Sequence, residues 1–434
     1  MHIEQTSTTT DSKGRTHIHF TLVIEAEYAP GEAAAMEFGL KKEFNKTGVV
    51  AMGYFLKRFD THGEPIRISD RQYTSKGLSN QTYQTSFGPV DVERHTYQSS
   101  SGGQVHCPLE DRARTLLDAT PHFAQMLSAG YSDNSGRSYL RHLKHDTDRE
   151  VSLEYLQNVA GAAGKSALAQ EQAQPYALEA DPTKVAAVVI LADFTCAKMV
   201  GEGCKHVAAG AFVLLDAEGN TLETIYIANA PEEGKALFWS RMDLEYNRLK
   251  QLLVEELGLD IHWYGLGDGA EEIQNWLEER CDLVGLDFFH AAEYIAATKE
   301  AFGDDPKRQK SWLDQALSDL KRKEGGAQQL LKQLDAKAKI GHADPAVEVA
   351  VEKARAYLSR NLDRMEYALI AEHHLPIGSG VIEGACKNVV KRRSGVSGAR
   401  WKRPGLQSVL ALRSLWLSSS RWKQYWARVA RQGY

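Results

Sequence analysis

The chain has 434 residues, is 43% hydrophobic and has a formal charge of -5, from 52 Lys and Arg against 57 Asp and Glu. That suits a large core in on the order of two to four domains. No apolar run reaches the roughly 18 to 20 residues of a membrane helix, and residues 1–6 lack a basic-then-apolar leader, so a soluble cytoplasmic protein is expected, with no membrane partner.

The five cysteines (Cys107, Cys196, Cys204, Cys281 and Cys386) form no C-x-x-C pair, which argues for free thiols over a disulfide framework or a zinc ribbon. Residues 1–72 read as an N-terminal region of helix and strand. The first fifteen are polar and rich in Thr and Ser, and are expected to be disordered or loosely attached. Thr16 to Glu25 alternates like a strand, and Glu32 to Phe59 has helical apolar spacing. Residues 73–108 are rich in Thr, Ser, Tyr and Gln, punctuated by Gly88-Pro89 and Gly102-Gly103, and predict a small antiparallel β unit. Residues 109–170 return to helix, with breaks at Thr120-Pro121 and Ser132-Asp133-Asn134. Three short helices in series fit a helix-turn-helix-like DNA-binding region, with Ser152 to Lys165 as its recognition helix, although any small helical bundle shows the same spacing. Gln170 to Thr183 reads as a linker.

From residue 184 the pattern alternates between β and α. Val185 to Ala192 is a continuous apolar strand, as in a sheet covered on both faces, and ends at Asp193. Gly210 to Leu215 and Thr221 to Ile227 flank a turn. Pro231-Glu232-Glu233 opens a helix that stops at Gly258. Ile261 to Leu266 is a strand ending at Gly267-Asp268-Gly269-Ala270, and a helix to Arg280 precedes the strand Leu283 to Leu286, which ends at Asp287. Three strands, a helix, a strand, a helix and a strand is the order of a ribonuclease-H-like domain, an α/β fold whose parts other sheets share. Its first part is 184–289. Residues 290–375 are charged and helical, too long for a connection, and predict an all-helical insertion. Residues 376–434 hold the last part of the core and a basic tail.

That tail has the strongest local signal. From Gly384 to Tyr434 there are twelve basic residues, no acidic one and four tryptophans, and Glu383 stands alone at its head. A field of that sign attracts phosphates. Asp193 and Asp268 follow neighbouring strands and can share one crevice, which Glu383 would complete. Three such acids can hold two Mg²⁺ or Mn²⁺ ions roughly 3.5 to 4 Å apart for phosphodiester chemistry. Taken singly, an Asp at a strand end is more often a cap or turn former, and Glu383 can simply neutralise Lys387. Lys387, Lys391, Arg392, Arg393, Arg400, Lys402 and Arg403, with Trp401, suit phosphate contact with an indole stacked on a base. The alternative for the tryptophans is core packing.

Leu191-Ala-Asp193-Phe-Thr, Gly265-Leu-Gly-Asp268-Gly-Ala270, Leu286-Asp287-Phe-Phe-His290-Ala-Ala-Glu-Tyr294 and Gly378-Ser-Gly-Val-Ile-Glu383-Gly-Ala-Cys-Lys387, with Gly398-Ala-Arg-Trp401 after them, resemble a DDE transposase of a bacterial insertion sequence. The likeness is to the ISKra group, related to Mutator-like transposases that carry a helical insertion before the final Glu, and covers about Leu109 to Trp426. It implies that Asp193, Asp268 and Glu383 are the catalytic metal-binding triad, and that Asp287 and His290 match an acid-x-x-His element that, from behind the metal ligands, positions DNA or the scissile phosphate near the metals. It also implies double-stranded DNA partners, both terminal inverted repeats and target, and a homo-oligomer in the synaptic complex. Relatives often have a cysteine pair in the small β unit, where this chain has Ser99-Ser100-Ser101-Gly102-Gly103 and only Cys107, so no zinc is expected. The glycine that commonly follows the first acid is missing after Asp193. The implied activity is metal-dependent cleavage and strand transfer. The alternatives are an inactive or domesticated transposase that only holds DNA, and a nuclease of the same fold without strand transfer.

Overall fold

The computed structural model describes residues 2–24, 31–341, 344–418 and 420–434. It divides into two compact units, Met1–Ala169 with Lys423–Tyr434, and Gln170–Trp422.

In the first unit, β1 (His2–Thr10) pairs antiparallel with β2 (Thr16–Val23). Of the two expectations for the first fifteen residues, disorder is thus corrected. Thr-rich strands have good β propensity, and Asp11 closes the turn by accepting from the amides of Lys13 and Arg15, both at 2.9 Å. Helix α1 (Glu32–Lys57) follows, close to its expected span. A small antiparallel β unit consists of β3 (Ile66–Ile68), β4 (Arg71–Gln84) and β5 (Pro89–Ser99), so its strands span 66–99 where the expected unit was 73–108. Its apolar face closes on Leu56 of α1 through Tyr83, Val90, Val92 and Leu109. Helices α2 (Pro108–Ala113), α3 (Pro121–Asp133), α4 (Gly136–Thr147) and α5 (Leu153–Ala173) come next. α3 starts at the Thr120-Pro121 break, with Pro in its first turn, where its missing N–H costs nothing. α5 buries Leu156, Val159, Ala160 and Ala163 on one face and leaves Gln157, Asn158 and Lys165 exposed on the other.

The second unit is built on β6 (Ala187–Met199), β7 (Gly203–Leu215) and β8 (Thr221–Asn229). Helix α6 (Ala236–Lys250) continues as a π-helical turn, Gln251–Glu256. Then come β9 (His262–Gly267), α7 (Glu271–Glu278) and β10 (Leu283–Leu286). The sheet order is β10-β9-β6-β7-β8, with β6, β7 and β8 antiparallel and β6, β9 and β10 parallel. A five-stranded mixed sheet in this order is compatible with a ribonuclease-H-like domain. β6 does not stop at Asp193 as expected but runs on to Met199, paired with β7 throughout. Its far end carries Thr195, Cys196 and Lys198 and is only partly buried, so no apolar run marks it. α6 also begins later than expected, because Glu232 serves as a cap, accepting from the amides of Leu237 at 3.3 Å and Phe238 at 2.9 Å.

The expected insertion is helical: α8 (Phe288–Ala296), α9 (Pro306–Arg322), α10 (Gly326–Ile340), α11 (Pro345–Arg360) and α12 (Tyr367–Glu372). The chain returns through α13 (Gly380–Ala385), a π-helical turn Cys386–Lys391, α14 (Arg392–Ser394) and α15 (Arg403–Leu417), and ends in α16 (Arg421–Gln432). Ile190, Phe212, Ile225, Phe238, Met242 and Leu277 are at most 1% exposed and form the centre of this unit's core. Among the described residues, no helix is long and apolar enough to cross a membrane.

Candidate functional site

β6 and β9 lie side by side, with Leu191 opposite Leu266. Asp193 and Asp268 each come two residues later, which puts both acids at one level where β9 gives out and β6 continues. Neighbouring strands are about 4.8 Å apart, and the charge of Asp268 reaches the Asp193 carboxyl, so the two acids are near each other despite the distance in sequence. Gly269, at φ +92, turns the chain away just after Asp268, and a side chain there would press on Leu286. Asp268 accepts from the Ala270 amide at 2.9 Å, and its carbonyl accepts from the Tyr357 hydroxyl at 3.1 Å. Tyr357 in turn stacks on Tyr294, ring centroids 4.0 Å apart. The insertion is therefore tied to the turn of the second acid, which the sequence did not reveal.

Asp193 Oδ1 accepts from the Phe194 amide at 2.6 Å and Oδ2 from the Cys386 thiol at 3.3 Å. Burial raises the Asp193 carboxyl above its ordinary value and the charge of Asp268 adds to this, against the downward pull of the Cys386 thiol, the Phe194 amide and His290. Burial, then the charge of Asp193, pushes the Cys386 thiol up as well, so the thiol holds its proton and is the donor. Glu383 lies one turn before Cys386 on an exposed helix position. Among the described residues, none of these three acids has a Lys or Arg partner within ion-pair range.

The donor set fits a divalent cation in kind, since Asp193 and Asp268 offer hard oxygen ligands side by side with no compensating cation. It does not close by itself. Among the described residues, no three His, Cys, Asp or Glu side chains stand together so as to hold a metal ion.

Asp287 is held inside the fold. It is fully buried, accepts from the His290 amide at 2.7 Å as the cap of α8 and also accepts from the Ser379 amide. So enclosed, it acts through the segments of His290 and Ser379 that it holds. His290 is half-buried, acts on Asp193, and with Glu293, Tyr294, Val349 and Lys353 lines an open groove of about 510 Å³.

The basic tail divides in two. Lys387, Lys391, Arg392, Arg400 and Lys402 are exposed, and Arg403 pairs with Glu202 at 2.6 Å. Arg393 and Trp401 are only 3% and 9% exposed, with the guanidinium 5.1 Å from the indole centroid, so the expected stacking of Trp401 on a base is corrected to internal packing. Trp401 also bonds through its backbone to Lys198 and Val200, which extends the edge of β6.

The raised Asp193 carboxyl has a consequence for stability. Where the folded state holds its proton to higher pH than the unfolded state, stability is lost as pH rises through that window. Asp193→Asn should therefore melt higher than the wild type at pH 7 in EDTA and approach it near pH 3, where both forms are neutral. A variant that melts lower at pH 7 would show the carboxylate to be a favourable, paired charge.

No protein-family model matches the chain, and no curated protein matches it. Among solved structures, it is similar to the Drosophila P element transposase strand transfer complex, at 10% identity and a TM-score of 0.33, over 69% of this chain and 92% of that one.

Proposed function

We propose that the second unit is the catalytic unit of a DDE transposase, acting on double-stranded DNA by metal-dependent cleavage and strand transfer. The observation that carries this is the pair Asp193 and Asp268, level across two parallel strands, half-buried and without a cationic partner. Glu383, near Cys386, is the third acid of the set, and its exposed position leaves it free to swing toward the pair. A divalent cation bound there would polarise the phosphodiester and lower the pKa of an attacking water. The chain's own residues set the stage: the Phe194 amide and the Cys386 thiol orient Asp193, and Tyr357 and the Ala270 amide fix the Asp268 turn. The groove at His290 and Tyr294 gives the insertion a surface for DNA beside the acids. Wild-type protein incubated with duplex DNA and Mg²⁺ or Mn²⁺ should give nicked and joined products. Binding without either product would favour the inactive, DNA-holding form, and nicking without joining a nuclease.

The exposed half of the tail is the DNA track in this proposal. Replacing Lys387, Arg392, Arg400 and Lys402 together by Ala should weaken binding to any sequence and lower the slope of log K against log salt by about 3.6, since each phosphate contact contributes roughly 0.9. An unchanged slope would make these residues a solvated face only.

A further inference from the structure

The segment between the third acid and α15 is not a regular helix. Cys386–Lys391 is a π-helical turn, with bonds from i to i+5. Residues five apart on an α-helix point about 140° away from each other, whereas a π-turn brings them onto nearly the same face. Here the two residues five apart both reach β6: the Cys386 thiol donates to Asp193 at 3.3 Å, and Lys391 Nζ donates to the Cys196 carbonyl at 2.7 Å. From behind, the buried Arg413 of α15 donates to the carbonyls of Asn388 at 2.9 Å and Val389 at 3.0 Å, in the middle of the π-turn. Carbonyls displaced from regular helical bonding need such a donor, so Arg413 stabilises the irregular turn.

We propose that the π-turn is a clasp that seats the helix of Glu383 on the strand of Asp193, with Cys386 as a positioning residue that aims the Asp193 carboxylate. This rests on the carboxylate site proposed above. It explains why a buried thiol, a weak donor, stands against a charged carboxylate: with Oδ1 already accepting from the Phe194 amide, its bond takes only one lone pair of Oδ2 and brings no cation to compete with a metal. It also explains the spacing, since Glu383 comes one turn before Cys386 and is carried toward Asp193 by the same bond.

The test is direct Mn²⁺ binding to the full chain, read from free Mn²⁺ by electron paramagnetic resonance, without DNA. Loss of an outer partner of a metal ligand typically costs 10- to 100-fold in affinity, so Cys386→Ala should weaken Mn²⁺ binding by about that factor. Cys386→Ser, whose hydroxyl can donate the same bond, should recover most of it, which simple packing would not explain. Asp193→Asn is the reference. If it loses Mn²⁺ binding while Cys386→Ala binds like the wild type, the clasp is overturned and the carboxylate site stands. If Asp193→Asn binds like the wild type, the carboxylate site falls and the clasp with it. A Ser variant as weak as the Ala variant would also overturn the hydrogen-bond role. Should Cys386→Ala fail to fold, Lys391→Met carries the test, with weaker Mn²⁺ binding supporting the clasp and unchanged binding overturning it.

Discussion

Asp193→Asn, Asp268→Asn and Glu383→Gln should each lower DNA cleavage by about a thousandfold or more, while leaving folding and DNA binding close to wild type. Each exchange removes one ligand charge and keeps the shape of the side chain. Asp193 and Asp268 are level across β6 and β9, so loss of either leaves one carboxylate where the proposed chemistry needs two. Groups that act as a unit are strongly non-additive, so the double variant Asp193→Asn, Asp268→Asn should be hardly slower than either single one. The measurement is single-turnover cleavage in Mg²⁺ and in Mn²⁺. A single variant that retains a sizeable fraction of the wild-type rate in both metals would remove its residue from the set, and multiplicative losses in the double variant would show two independent roles.

How much of this was legible depended on how local each signal is. β10 forms over Leu283 to Leu286 as the apolar run predicts, and the level placement of Asp193 and Asp268 followed from two runs ending at acids. The far half of β6 was not legible, because a hairpin arm that leaves the core needs no apolar pattern. The N-terminal hairpin was missed for a similar reason: its polar strands, mostly exposed, look like disorder in composition. Asp287 shows a different limit. Its spacing to His290 fits a positioning pair and a helix cap equally well, and it is the structure that shows it as the buried cap of α8. Cys386 had one overlooked cue, its place one turn after Glu383, whereas nothing in the sequence pointed from Tyr357 to Asp268 across 89 residues.

Glu245→Gln and Arg421→Ala should each destabilise the second unit by about 3 to 5 kcal/mol, the usual cost of breaking a buried ion pair by removing one partner. Arg421 belongs to the basic tail, where its charge reads as one more attraction for phosphate. In the fold it grips both oxygens of Glu245 on α6, at 3.0 and 2.5 Å, with both side chains 5% exposed. Arg393, Arg413 and Arg428 are buried too, so a third of the twelve basic residues face the interior, and the tail's charge overstates its reach toward DNA. The pair matters to the site because α6 carries Phe238, which packs edge-on against Phe194, the neighbour of Asp193. Two results together test this. Each single variant should lose stability in urea unfolding, and the double replacement Glu245→Leu, Arg421→Met should recover most of it, since a well-packed apolar pair leaves no stranded charge. A double variant as unstable as the singles would mean that the pair's geometry, rather than its charge balance, holds α6 against the sheet.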